Sequence, residues 1–268
     1  MSLSVRVLTV FPGLNEAALS EGMVRIARER GILDVKAVDL RDFTEDVHRT
    51  TDDAPYGGGA GMVMKVEPVV RAWRSLAPSE RGRAYVMSPR GARFDQAMAE
   101  TWSRATAVTL VCGRYQGLDE RALELLDAEE VSLGDFVLAG GELAAAVMIE
   151  AAARLLPGVL GDEDSRAEDS FENRLLGFPV YTRPEEFEGL SVPEVLLSGH
   201  HARIKRWRRE RRLEATHRRR PELLRKATLT IEDRRFLEEL DREIQPAETA
   251  GTRHRPSGGR GKTTEGEP

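Results

Sequence analysis

Few residues in this sequence have the chemistry to catalyse a reaction. Cys112 is the single cysteine, and His48, His200, His201, His217 and His254 show no zinc-like spacing with it or with one another. No G-x-S-x-G nucleophile elbow occurs. The loop YGGGAG at 56–61 matches neither G-x-x-x-x-G-K-[ST] nor G-x-G-x-x-G, so a Walker phosphate cradle and the usual dinucleotide fingerprint are excluded. Cys112 ends an apolar run and reads as a buried strand residue, not a nucleophile. Two charged residues keep open alternatives. Arg154 follows Glu150 by four positions, so a helical i, i+4 ion pair accounts for it as readily as catalysis does. Asp169 lies among Asp162, Glu163, Asp164 and Glu168, where a solvated carboxylate is the ordinary reading. His200 and His201 suit either a helix cap or a phosphate contact.

What remains is backbone chemistry. Three glycine-rich segments, SPRG (88–91), CGRYQG (112–117) and LGDFVLAGGE (133–142), each follow or adjoin a predicted strand. Glycine lets main chain approach a flat ligand and adopt positive φ. In an open α/β sheet ligands bind beyond the carboxyl ends of the strands. The three loops together suit a nucleoside-like ligand; singly each is only a tight turn.

The elements that must position these loops alternate. Strands are predicted at 5–11, 33–40, 83–89, 107–113 and 129–133, and helices at 16–30, 66–76, 95–104, 119–127 and 142–156. Such alternation implies a parallel sheet covered on both faces. Composition changes near 157, where PGVLGDEDSRAEDS reads as a polar linker. Residues 171–193 read as Pro-punctuated and irregular, and helices follow from about 200, ending with one at 230–243. The expected organisation is an α/β domain at 1–160, a linker at 161–175, a small helical domain at 176–245 and a disordered tail at 246–268. No apolar run reaches about eighteen residues, so no membrane span is expected. The N-terminus lacks the features of a signal peptide, and one cysteine fits a reducing cytosol, so a cytoplasmic protein is expected.

Charge is unevenly spread. Twelve Lys/Arg and three acids fall between Arg203 and Lys226, giving that segment +9 and leaving −14 on the rest of a chain of net charge −5. A concentrated basic block on an acidic protein points to a polyanionic partner; a solvated helix surface is the competing reading.

Read as strings, these segments resemble the bacterial tRNA (guanine-N(1))-methyltransferase family from about residue 7 to 243. The resemblance rests on VLTVFP (7–12), YGGGAGMVM (56–64), SPRG, CGRYQGLDER (112–121), GDFVLAGGELAA (134–145), RLLPGVLG (154–161), EDSF (168–171), YTRP (181–184), VPEVLLSGHH (192–201) and RRPELL (219–224). It implies a parallel α/β sheet with a deep trefoil knot toward the C-terminal side of the N-terminal domain, an exception to the rule against knots. It implies S-adenosylmethionine as methyl donor, bound by Met87, Ser88, Pro89, Gly113, Tyr115, Gln116, Gly117, Ser132, Leu133, Gly134, Asp135, Phe136, Val137, Leu138, Gly140 and Gly141. It further implies a homodimer with shared active sites and a substrate guanosine at nucleotide 37 of tRNA, methylated to help maintain the reading frame. His200, His201, Arg203, Lys205, Arg206, Arg208 and Arg209 are the residues expected to contact tRNA. Magnesium dependence is a family property that no motif here derives.

The resemblance also assigns roles. Guanine N(1) is protonated at neutral pH, so methylation there needs a base, and the EDSF match makes Asp169 that base. A free aspartate titrates near about 3.9, a weak base unless burial raises it. The RLLPGVLG match makes Arg154 the cation for the charge that develops on the 6-oxo oxygen. Two positions depart from the family: Gln116 stands where Glu is usual, removing a carboxylate near the cofactor or metal, and Phe136 where Tyr is common, removing one hydroxyl. The competing functions are a knotted methyltransferase acting on ribose or another base, which would not need the EDSF carboxylate, and a non-catalytic RNA-binding protein.

Overall fold

A computed structural model describes residues 2–159 and 168–250. The chain divides into two compact units, Met1–Gly161 and Asp162–Pro268.

The first unit is built on strands β1 (Leu3–Thr9), β2 (Leu33–Asp39), β3 (Asp52–Asp53), β4 (Val63–Met64), β5 (Arg83–Arg93), β6 (Ala107–Cys112) and β7 (Glu129–Ser132). Five of them form a parallel sheet in the order β2-β1-β6-β5-β7. The side-chain period of two sorts residues between two cores. Val5, Val7, Tyr85, Met87, Val108 and Leu110 face one core, and Leu8, Ala84, Val86 and Val111 face the other. Burial on both faces explains why the central strand β6 reads as a continuous apolar run: all six of its residues are buried. The first core is closed by α1 (Pro12–Ala18), α2 (Gly22–Glu29), α5 (Gln96–Ser103) and α7 (Glu142–Ala153). The second is closed by α3 (Val66–Ser75) and α6 (Glu120–Leu126). A short α4 (Pro78–Arg81) leads into β5.

Arg6 interrupts the apolar pattern. Its side chain is buried in β1, where it donates to the Asp34 carboxylate at 2.6 Å, to the Asp34 carbonyl at 3.1 Å and to Glu80. A charge at such depth persists only with its donors satisfied in this way.

Three expectations need correction. The single helix at 16–30 is two: α1 starts earlier because Pro12 suits the first helical turn, and it ends at Leu19, whose amide caps on Asn15. Gly22, at φ +64, then sets the entry to α2. Residues 171–193 are not wholly irregular, since Glu186–Phe187 and Leu190–Ser191 pair as an antiparallel hairpin. Its two turn residues, Glu188 (φ 50) and Gly189 (φ 80), have the positive φ that such a tight turn demands. The last helix runs Ile231–Ala250, past the expected start of the tail at 246; residues 251–268 lie outside the described residues. Of the expected linker, 161–167 also lie outside them, while Leu175 is fully buried.

The second unit carries that hairpin and the helices Glu194–Leu197, His201–Arg219, Pro221–Leu224 and Ile231–Ala250. Among the described residues no helix is long and apolar enough to cross a membrane.

Candidate active site

A cavity of about 310 Å³ opens at the carboxyl ends of β5, β6 and β7, a size that suits a small-molecule ligand. Its walls come from three segments far apart in sequence. The first is an excursion from β5. Met87 and Ala92 both register against Val131 of β7, so Ser88–Gly91 loop out of the sheet between them. Gly91 permits this: a Cβ there would stand 2.2 Å from the Glu130 carbonyl carbon and 2.3 Å from the Val131 amide. The second segment, 113–117, follows β6, and the third, 133–141, follows β7.

Main-chain bonds knit these loops together. The Gly141 amide donates to the Gly113 carbonyl at 3.0 Å, and Arg114 bridges to Gly140. The Gln116 amide donates to Met62 and the Met64 amide to Gly117, both at 3.0 Å. The Gln116 side-chain amide donates to the Ala60 carbonyl, so the glycine-rich segment 56–61, between β3 and β4, is tied to the cavity rim. Glycines set the cavity floor. A Cβ on Gly141 would lie 2.7 Å from Met87 Cβ, and one on Gly140 would lie 2.5 Å from Glu142 Oε2.

Beneath the floor lies a buried polar network. Arg114 donates to Glu142 through Nε at 3.1 Å and Nη2 at 3.0 Å. Thr9 Oγ1 donates to the same carboxylate at 2.8 Å, and Asn15 donates to the Glu142 carbonyl at 2.9 Å. Glu142 is 1% exposed, so its charge is held by these donors. The Arg114 guanidinium also covers the Phe11 ring, 4.1 Å from its centre. At the rim, Arg90 pairs with Glu120 and Glu130, and these two carboxylates hold its guanidinium above the ordinary arginine range. Burial pushes the Cys112 thiol up, aided by the nearby Glu142 charge, so it stays protonated and is no nucleophile.

Fifteen of the sixteen residues expected to hold a cofactor line this cavity; Asp135 does not. Asp135 is exposed and pairs with Arg93 at 2.7 Å, which holds its carboxyl below the ordinary range. The exposed rings of Tyr115 and Phe136 stand on the lining. Sequence reasoning missed Arg90, Glu120 and Glu130. Only the register shift of β5 brings these three together, and no spacing in the sequence signals it.

The other candidates are not among the residues that line the cavity. Arg154 caps the C-terminus of α7 and is half-buried. Asp169 belongs to the second unit and is also half-buried. Its carbonyl accepts from Arg212 Nη2 at 2.9 Å. Most of the basic block lies in one helix, His201–Arg219, and five of the nine Lys/Arg of that helix pair with acids. Arg206 pairs with Glu210, Arg208 with Glu168, Arg209 with Asp233, and Arg211 and Arg218 with Glu214. His200, His201, Arg203 and Lys205 are exposed at its start, and Arg203 and Lys205 pair with no acid among the described residues. Trp207 is half-buried, its ring centre 6.4 Å from that of Tyr181.

The family model described as tRNA (Guanine-1)-methyltransferase TrmD matches residues 3–226. A tRNA (guanine-N(1)-)-methyltransferase of Geobacter metallireducens is 52% identical, over 88% of this chain and 96% of that protein. Proteins of the same name from Moorella thermoacetica and Dictyoglomus turgidum are 50% and 47% identical, covering 90% and 91% of this chain and 97% and 98% of their own lengths.

Proposed function

The chain belongs to the tRNA (guanine-1)-methyltransferase family, and from that membership we propose that it methylates N(1) of the guanosine at nucleotide 37 of tRNA, in the cytoplasm, in support of the reading frame. The observation that carries this is the cavity in which three separate glycine-rich segments converge at the carboxyl ends of β5, β6 and β7.

S-adenosylmethionine is the methyl donor in this reading, and when bound it supplies an activated methyl on a sulfonium. The fit rests on the chain's own geometry. Side chains at Gly134, Gly140 or Gly141 would collide with their surroundings, so the floor is bare main chain at the places a flat adenosine would approach. Backbone groups of Met87–Pro89 and Gly113–Gly117 would orient it, and the ring of Tyr115 or Phe136 would cover it. Gln116 keeps this geometry without a carboxylate. Threading of one of these loops through another, the trefoil knot, belongs to the same proposal.

The Asp169 carboxylate accepts the N(1) proton, leaving an electron pair on nitrogen for the methyl and negative charge on the 6-oxo oxygen. The Arg154 guanidinium donates to that oxygen and stabilises the charge that develops there in the transition state. The family resemblance that assigns these two roles also implies a homodimer whose active sites are shared. Exposed apolar side chains support such a partner: Leu14 of α1 is 43% exposed, and Leu143 and Val147 of α7, with which α1 packs, are 54% and 50% exposed. The second unit holds the tRNA, using the exposed start of its basic helix. Among the described residues no three His, Cys, Asp or Glu side chains converge to hold a metal ion, so no step here runs through magnesium.

The test is transfer of labelled methyl to tRNA transcripts with guanosine or adenosine at nucleotide 37. Label recovered as N(1)-methylguanosine, and only from the guanosine transcript, is the expected result. Equal labelling of both transcripts, or label on ribose, would overturn the proposal.

A further inference from the structure

Arg212 lies in the middle of the basic block, yet it is 7% exposed and turned inward. Its Nε donates to the Leu176 carbonyl at 3.1 Å and its Nη2 to the Asp169 carbonyl at 2.9 Å. One guanidinium therefore grips both ends of the segment 169–176. Thr216, one helical turn on, completes the grip. Its Oγ1 accepts from the Leu176 amide at 2.9 Å and donates to the Arg212 carbonyl at 2.6 Å. The segment closes on itself as well: the Phe171 amide donates to Leu175 at 2.7 Å, and the Gly177 amide to Ser170 Oγ at 2.8 Å. Between these ties Phe171, Asn173 and Arg174 all have positive φ, at 76°, 53° and 59°. Non-glycine residues hold that conformation only where their surroundings over-determine it.

We infer that Arg212 is a positioning residue for the Asp169 carboxylate: its planar fork fixes the main chain from which that side chain departs. This rests on Asp169 being the proton acceptor. An aspartate has only two side-chain torsions, so a fixed backbone leaves the carboxylate little room to wander. A lysine at 212 would keep the charge but has a single nitrogen, which cannot span both carbonyls in the geometry of the guanidinium. The burial and the two carbonyl bonds separate Arg212 from the phosphate-contacting role that its place in the block suggests.

The experiment compares the full chain with Arg212→Lys, Thr216→Val, Thr216→Ser and Asp169→Ala, using a tRNA transcript with guanosine 37. Arg212→Lys is expected to lower kcat by about 10- to 100-fold while tRNA KM stays within about twofold, since sub-ångström misplacement of a reacting group acts on the chemical step. Amide exchange at Phe171 and Gly177 should quicken in the same variant, with thermal unfolding still cooperative. Thr216→Val should follow Arg212→Lys, and Thr216→Ser should restore the wild-type rate. In the Asp169→Ala background, Arg212→Lys should cost nothing further. A wild-type kcat in Arg212→Lys with Asp169→Ala inactive overturns the positioning role alone. A raised tRNA KM with unchanged kcat overturns it in favour of an RNA contact. If Asp169→Ala turns over normally, the proton-acceptor reading fails and takes this inference with it.

Discussion

The two units handle polarity in opposite ways. In the first, the cavity is made of main chain: glycines clear its floor, and the charged network of Arg114, Glu142 and Thr9 lies underneath as support. In the second, the conspicuous feature is side-chain charge, yet most of the arginines of the helix His201–Arg219 are engaged by acids or carbonyls of their own unit. A run of like charge in sequence is therefore a poor measure of the charge a surface offers. Glu168 and Asp233, which match Arg208 and Arg209, lie outside the basic block, so a count within that block overstates what remains for RNA.

The largest effects should come from the two residues proposed to carry the chemistry. Asp169→Ala should reduce turnover by about 10²–10⁴-fold and leave S-adenosylmethionine binding by calorimetry unchanged, because the cavity belongs to the other unit. Near-native turnover would remove Asp169 from the reaction. Arg154→Ala should cost about 10²–10³-fold, as loss of one donor to a developing oxyanion does. Turnover equal to wild type would instead favour a structural ion pair with Glu150.

The support beneath the cavity offers the next test. Glu142→Gln leaves the Arg114 guanidinium facing a neutral amide in a buried site. Breaking such a pair costs about 3 kcal/mol or more, read as a lower urea midpoint at unchanged slope. If stability is unaffected, the network is not what holds loop 113–117 to α7.

A smaller effect separates exposed from engaged arginines. Replacing Arg203 and Lys205 with Gln should lower the salt dependence of tRNA binding by about 0.7–0.9 in slope for each phosphate no longer neutralised. Replacing Arg208 and Arg209 should leave that slope alone and reduce stability instead. Equal slopes in both sets would mean that tRNA is held elsewhere.

The smallest is an acid effect in the second unit. Burial pushes the Asp233 carboxyl up, but the hydrogen bonds from Arg209 and from the Thr230 amide outweigh it, and the net shift is downward. A carboxyl lowered in the folded state adds stability above its unfolded pKa, and that stability is lost as pH falls through the folded value. Asp233→Asn should therefore narrow the difference in urea midpoint between pH 7 and about pH 3. An unchanged pH dependence would show that the Arg209–Asp233 pair carries no linkage.

Much of this was legible in the residues. The strands 5–11 and 107–113 were readable because burial on both faces of a parallel sheet makes apolar runs, and the glycine-rich segments because main chain crowding excludes side chains there. The break at Leu19–Gly22 was not, since apolar periodicity continues through it while only the cap geometry ends the helix. Family motifs singled out Arg154 and Asp169, which local spacing alone would have left as an ion pair and a solvated acid.

By itself the sequence determined the parallel α/β class, the three glycine-rich loops and the family, because these follow from local pattern and short motifs. Tertiary structure alone decided how the loops converge and where the arginines point. The four-residue excursion at Ser88–Gly91 exists only as a mismatch of register between β5 and β7. Arg212 turns inward while Arg203 stays exposed, although both lie in one basic run. The difference is set by which face of the helix meets the carbonyls of residues 169 and 176, a pairing across 43 and 36 positions that no local pattern encodes.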